Sequence, residues 1–283
     1  MTRAPRDIHE SFLLFAKFRY LKAGLALVAA SLLAYALHRP YGPPYGGTWL
    51  GYTLGCVSGM IVVWLSWFGI KKRSYGKGRL SAREWLSAHI YLGLSLIVVA
   101  TLHTGIRFGY NVHTLLYLLM MIVVCSGLVG VYFYLRYPPM LTANRRGLST
   151  EIMLSQIAEL DREIRTLAMD LDDTTNRLVL AASRDAAVGG NIFQQLGAFD
   201  TRCHTTLARE YVEQSAMDST PEQDTRRRQL LARLVRKEDC LMSIRRDIQL
   251  RSLLRVWLFV HVPFSFATLA ALCVHVVTEF YYW

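Results

Sequence analysis

The chain has 283 residues, enough for one or two domains. It is 53% hydrophobic with a positive mean hydropathy, and its apolar residues fall in long runs. That excludes an ordinary soluble globule and points to several membrane spans. A net charge of +11 would suit nucleic acid, but the basic residues gather at the ends of the apolar runs, as in a membrane protein.

Residues 1–22 form a basic head in which Arg3, Arg6, Lys17, Arg19 and Lys22 outnumber Asp7 and Glu10. Phe12, Leu13, Phe15, Ala16 and Phe18 predict a short interfacial helix leading into the first span. No cleavable signal peptide is expected. Ala23 to Leu37 carries no charge and is the shortest span, with Lys22 and Arg39 placed to snorkel. Pro40 to Gly47 reads as a loop. The second span, Trp49 to Ile70, carries Gly51, Gly55 and Gly59 on one stripe. The stripe suits close helix packing, or room for a flat macrocycle against the backbone.

Lys71, Lys72, Arg73, Lys77, Arg79 and Arg83 follow, with Glu84 the one acid. The third span is Trp85 to Ile106. The fourth runs from Leu115 to Leu135, and Tyr137-Pro138-Pro139 is expected to end it. The head, the loop at 71–83 and the segment with Arg136, Arg145 and Arg146 are basic, so they and the amino terminus are expected on the cytoplasmic side.

Residues 149–250 are polar and helical. Ile157, Leu160, Ile164, Leu167 and Leu171 make a coiled-coil-like seam. Gly189-Gly190-Asn191 breaks it, and a second helix is expected over 192–217. Thr220-Pro221-Glu222-Gln223 is a helix start, and Leu230, Leu234, Leu241, Ile244 and Ile248 stripe the helix that follows. The region reads as a cytoplasmic helical hairpin or small bundle, with a homodimer through the coiled coil as one option. It has no Gly-rich phosphate loop, hence no expected flavin or nicotinamide site. Arg226-Arg227-Arg228 reads as a solvated charge run. The last span is Val256 to Thr278, ending at Tyr281-Tyr282-Trp283.

Cys56, Cys125, Cys203, Cys240 and Cys273 form no C-x-x-C, which removes c-type haem attachment and paired zinc ligands. The histidines carry the strongest pattern. Arg83-Glu84-Trp85-Leu86-Ser87-Ala88-His89 and Arg255-Val256-Trp257-Leu258-Phe259-Val260-His261 both read R-x-W-L-x-x-H. Fourteen residues past each histidine stands another, His103 and His275. Fourteen residues is close to four helical turns, so each helix shows both histidines on nearly one face, ~21 Å apart along the axis. With the third and fifth spans parallel, His89 pairs with His261 near the inner side and His103 with His275 near the outer. A lone intramembrane histidine can satisfy itself on a backbone carbonyl, but two equally spaced pairs predict ligands for two haems. Bis-histidine ligation leaves no open position, so the expected chemistry is electron transfer.

Arg83 and Arg255 stand about one and a half turns before the inner histidines, and Arg107 one turn past His103. They are candidates for haem propionates, or simply flanking positive charge. Pro263 is expected to kink the last span near His261. His38 and His113 read as loop-edge residues open to water and lesser candidates for a partner or quinone. His9 and His204 read as surface residues.

On these residues the chain resembles the di-haem four-helix bundle of the cytochrome b/b6 superfamily, and its histidine ladder is similar to that of ferric reductases and NADPH oxidases. The resemblance covers residues 49–136 and 253–280, not 149–250, and the quinol-oxidation signature P-E-W-Y is missing. It implies an all-α di-haem bundle in a membrane, and the residue pattern divides the chain into a basic head (1–22), transmembrane helices 1–4 (23–140), a cytoplasmic insertion (149–250) and transmembrane helix 5 (253–283). The expected cofactors are two b haems, with iron on His89, His103, His261 and His275, and a quinone. The expected role is an electron-transfer subunit of a bacterial inner-membrane oxidoreductase. It would link the quinone pool to a separate redox protein such as a periplasmic multihaem cytochrome c. Two alternatives stand beside it: a ferric-reductase-like subunit fed by a separate flavoprotein, and a non-enzymatic membrane-anchored interaction protein.

Overall fold

The structure, a computed structural model, describes residues 15–40, 46–73, 81–145, 148–184, 189–197, 203–215 and 221–281. Most of the basic head, Lys77 and Arg79, Arg146, the Thr220 cap, Tyr282 and Trp283 lie outside these residues. The described residues are helical and include no strand. In order the helices are α1 (Phe15–Leu37), α2 (Trp49–Arg73), α3 (Ala82–His103), α4 (Val112–Arg145), α5 (Thr150–Ala168), α6 (Asp173–Arg184), α7 (Ile192–Gln195), α8 (His204–Gln214) and α9 (Pro221–Tyr281). The chain divides into two units: Met1–Val129 with Phe259–Trp283, and Gly130–Leu258.

Five helices are long and apolar enough to cross a membrane: α1, α2, α3, and the apolar parts of α4 and α9. In the first unit their outward faces are apolar, with Leu33, Met60, Leu118, Phe266 and Phe280 exposed. A surface of that kind needs hydrocarbon, not water, around it. Several span hydroxyls bond the carbonyl four residues back in their own helix, among them Ser95 to Tyr91 (2.8 Å), Thr101 to Ile97 (2.6 Å) and Thr268 to Phe264 (2.8 Å). That satisfies them without water.

Packing inside this unit centres on α3. Its amino terminus is fixed by a capping box: Glu84 N–H donates to Ser81 Oγ at 3.2 Å, and Ser81 N–H donates to Glu84 Oε2 at 3.0 Å. Glu84, the lone acid in a basic stretch, is there for the helix start. One face of α3 buries Val99 and Leu102 against Leu50 and Leu54 of α2, with Leu27 and Tyr35 of α1 alongside. Leu96 and Ala100 pack on Met120 of α4 with Ile61, Val62 and Leu65. Gly24 lets α1 come close: a Cβ there would stand 3.2 Å from the Tyr91 carbonyl. The motif tryptophan Trp85 is buried and stacks on Trp64 at 4.4 Å.

The second unit has its own core. Leu160, Ile164 and Ala168 of α5 meet Val179 and Ala182 of α6, Ala208 and Val212 of α8, and Leu230 and Leu234 of α9. Met153, Ile157, Leu241 and Ile244 extend it. The other motif tryptophan, Trp257, lies against Gly130, where any Cβ would collide with the indole.

Three expectations need correction. The helix that carries the fourth span does not stop at Tyr137-Pro138-Pro139 but runs on to Arg145. The extension is held by Asn144 Nδ2 donating to Ser243 O at 2.7 Å and by a two-pronged Arg145–Asp247 pair at 2.8 and 2.9 Å. These offset the hydrogen bonds the prolines remove. The seam of α5 ends at Ala168, and α6 begins afresh at Asp173, because Asp172 caps it through Thr175. The single helix expected over 192–217 is two, α7 and α8. α9 stays helical through Pro263.

Candidate functional site

The four motif histidines, all half-buried, gather in the first unit as two pairs. His89 stands near His261, and the rings of His103 and His275 lie 6.3 Å apart. α3 and the end of α9 therefore run parallel, with the pairs at opposite ends of the same two helices.

At the first pair, Ser126 of α4 sets the proton on His261. The Ser126 hydroxyl donates to Val123 O at 2.8 Å, so its oxygen accepts from His261 Nδ1, also at 2.8 Å. That places the hydrogen on Nδ1 and the lone pair on Nε2, the pattern of a metal-ligating histidine. Gly127 faces the ring, and a Cβ there would sit 3.6 Å from His261 Cε1.

The second pair is built more densely. His103 Nδ1 donates to the Gly51 carbonyl at 2.7 Å, which again turns Nε2 outward as a lone-pair donor. The ring rests on Gly55, where a Cβ would meet Cε1 at 2.7 Å and Nδ1 at 2.9 Å. Gly46 closes another side, 3.5 Å from the His103 carbonyl by the same construction. The glycine stripe thus serves a histidine ring at Gly51 and Gly55, while Gly59 faces Leu272 of α9 at 3.8 Å.

A fifth histidine joins this pair. α3 ends at His103, Gly105 and Ile106 turn the chain in the left-handed region (φ 59° for each), and Asn111 caps α4 by accepting from Thr114 N–H at 3.0 Å. The turn carries His113 back onto His103, Nε2 to Nε2 at 3.2 Å. The His113 ring lies 4.2 Å from that of His275, and Glu279, one turn beyond His275, has a carboxylate oxygen 3.9 Å from His113 Nδ1. One ligand nitrogen from each of His103, His113 and His275 falls within 4.8 Å of the others. Sequence reasoning left His113 in a loop. The signal that would have found it is Asn111, a helix cap two residues before it, which starts α4 earlier than the apolar run does.

His38 stands edge-on to Trp49 at 5.3 Å, apart from these groups. Arg83, Arg107 and Arg255 are exposed. Comparison with known protein families, with characterised proteins and with solved structures gives no match. What the chain's own residues define is an all-helical protein with five helices suited to a membrane and a group of three histidines, His103, His113 and His275.

Proposed function

We propose that this chain is a membrane electron-transfer protein of the di-haem b type, in which His89 with His261 and His103 with His275 would hold the two haems. The observation that carries the reading is the ordering of His103 and His261. Each has its Nδ1 hydrogen committed, to Gly51 O and Ser126 Oγ, so that Nε2 is the available ligand. The glycines at 55 and 127 let those rings lie close against α2 and α4.

A b haem held by two imidazoles would supply one-electron transfer. The residues' part is to hold it. His89, His103, His261 and His275 would ligate, Gly51 and Ser126 orient the His103 and His261 rings, and Arg83, Arg255 and Arg107 would offer guanidinium groups to propionates. Apolar helices around the ladder keep water away. The redox partners fit the quinone pool on one side and a separate protein, such as a multihaem cytochrome, on the other. The setting is a bacterial inner membrane with the polar helical unit in the cytoplasm.

The test is a dithionite-reduced minus oxidised spectrum of the purified full chain with a pyridine haemochrome count. About two b haems per chain is the expected result. A colourless protein, or a His103→Ala variant with unchanged haem content, overturns the assignment.

A further inference from the structure

We propose that His103, His113 and His275 form a three-imidazole site for a bare divalent transition-metal ion of the zinc or copper class, with Glu279 orienting His113. This does not rest on the haem reading. It draws on two of the same imidazoles, so ion and haem compete for that end of the ladder.

Four observations converge. The first is distance. His103 Nε2 and His113 Nε2 are 3.2 Å apart. Two nitrogens bound at about 2.0–2.1 Å to one tetrahedral ion stand about 3.3 Å from each other. Ligands on opposite faces of a haem would be farther apart, so this pair has the spacing of neighbours around a single ion.

The second is lone-pair direction. His103 has its hydrogen on Nδ1, because the Gly51 carbonyl at 2.7 Å can only accept. Its Nε2 therefore presents a lone pair to His113. His113 turns Nδ1 toward the Glu279 carboxylate. His113 Nε2 meets that lone pair at 3.2 Å, the place of a shared hydrogen that a metal ion can take instead. A carboxylate beside the far nitrogen of the ring is a usual support of a ligating imidazole.

The third is the donor set. Three neutral imidazoles from three separate elements, the end of α3, the start of α4 and the end of α9, bring ligand nitrogens within 4.8 Å. Imidazole suits zinc, copper and nickel, and a three-histidine set leaves a fourth position for water. Among the described residues this is the one such group of three or more. The fourth is local construction. The left-handed turn at Gly105 and Ile106 and the Asn111 cap hold His113 against His103 at a conformational cost, since a β-branched residue disfavours positive φ.

The experiment uses the full chain in detergent, produced in haem-deficient cells and stripped with chelator, then titrated with Co(II). The expected result is one Co(II) per chain with the intense visible bands of four-coordinate cobalt, displaced by zinc. His113→Ala is expected to lose the bands, and Glu279→Gln to weaken binding by about 10–100-fold. Absence of the bands in the unsubstituted chain, or their persistence in His113→Ala, overturns the proposal. If His113→Ala fails to fold by circular dichroism, pulsed EPR on the Cu(II)-loaded unsubstituted chain counts coordinated imidazoles. Three supports the site and fewer overturns it. Haem added back is read separately. Zinc-loaded chain is expected to take up about half the haem of the zinc-free chain. If the zinc-free chain takes up none, the electron-transfer reading falls while the cobalt titration still decides this one.

Discussion

His103 Nδ1 lies 2.7 Å from the carbonyl oxygen of Gly51, and the next glycine of the same stripe, Gly55, supports the ring. α2 therefore positions His103 without contributing a histidine itself. Gly55→Ala would put a methyl 2.7 Å from His103 Cε1 and push the ring off the Gly51 carbonyl. The expected outcome is a loss of bound Co(II) and of one of the two proposed haems, with helical circular dichroism unchanged. Equal loading in Gly55→Ala and the unsubstituted chain would show that the stripe serves packing alone.

Ser126 should matter for the other pair. Ser126→Ala removes the acceptor that holds the hydrogen on His261 Nδ1. Loss of such a partner weakens a ligating histidine by about 10–100-fold. Haem retention during dilution and the reduction potential of the remaining centre are the measurements. Ser126→Thr, which keeps the hydroxyl, is expected to restore both.

In the polar unit, Lys237 is fully buried, with Nζ 2.6 Å from Asp161 Oδ1 and 2.7 Å from the Ala182 carbonyl. Ser183 Oγ donates to the same carboxylate oxygen at 3.1 Å. Lys237→Met strands Asp161 in the core and is expected to cost about 3–5 kcal/mol, whereas Lys237→Met with Asp161→Leu recovers most of that loss. Denaturation of the full chain followed by circular dichroism reads the difference.

Asp172 gives this unit a pH dependence. Burial pushes its carboxyl up, but hydrogen bonds from Thr175 N–H (2.9 Å) and Oγ1 (2.7 Å), with Arg227 nearby, hold it below the ordinary aspartate range. A depressed folded pKa stabilises the fold above the unfolded value, near about 3.9, and that stabilisation is lost as pH falls through the folded value. Acid titration of the full chain should show this loss, and Asp172→Ala should remove it along with about 1 kcal/mol of cap stability near neutral pH.

The sequence alone determined the features with a local period. The five apolar runs became helices suited to a membrane, because run length and hydropathy are local quantities. The stripe of Ile157, Leu160 and Ile164 and that of Leu230, Leu234, Leu241 and Ile244 turned inward, since a 3.6-residue repeat puts them on one face. The fourteen-residue spacing likewise put His89 and His103 at opposite ends of one face, and His261 and His275 on another.

Tertiary structure decided what those faces meet. That the glycine stripe receives His103, that Ser126 orients His261, and that Trp85 rests on Trp64 while Trp257 rests on Gly130 depend on which helices become neighbours. The break at Ala168–Asp173 follows from the Asp172 cap, and the run of α4 past two prolines from the Arg145–Asp247 pair, both of which outweigh local propensity. His113 is the clearest case. Its place beside His103 is set by two left-handed residues and one asparagine cap, and a turn of that kind leaves no periodic trace in the chain.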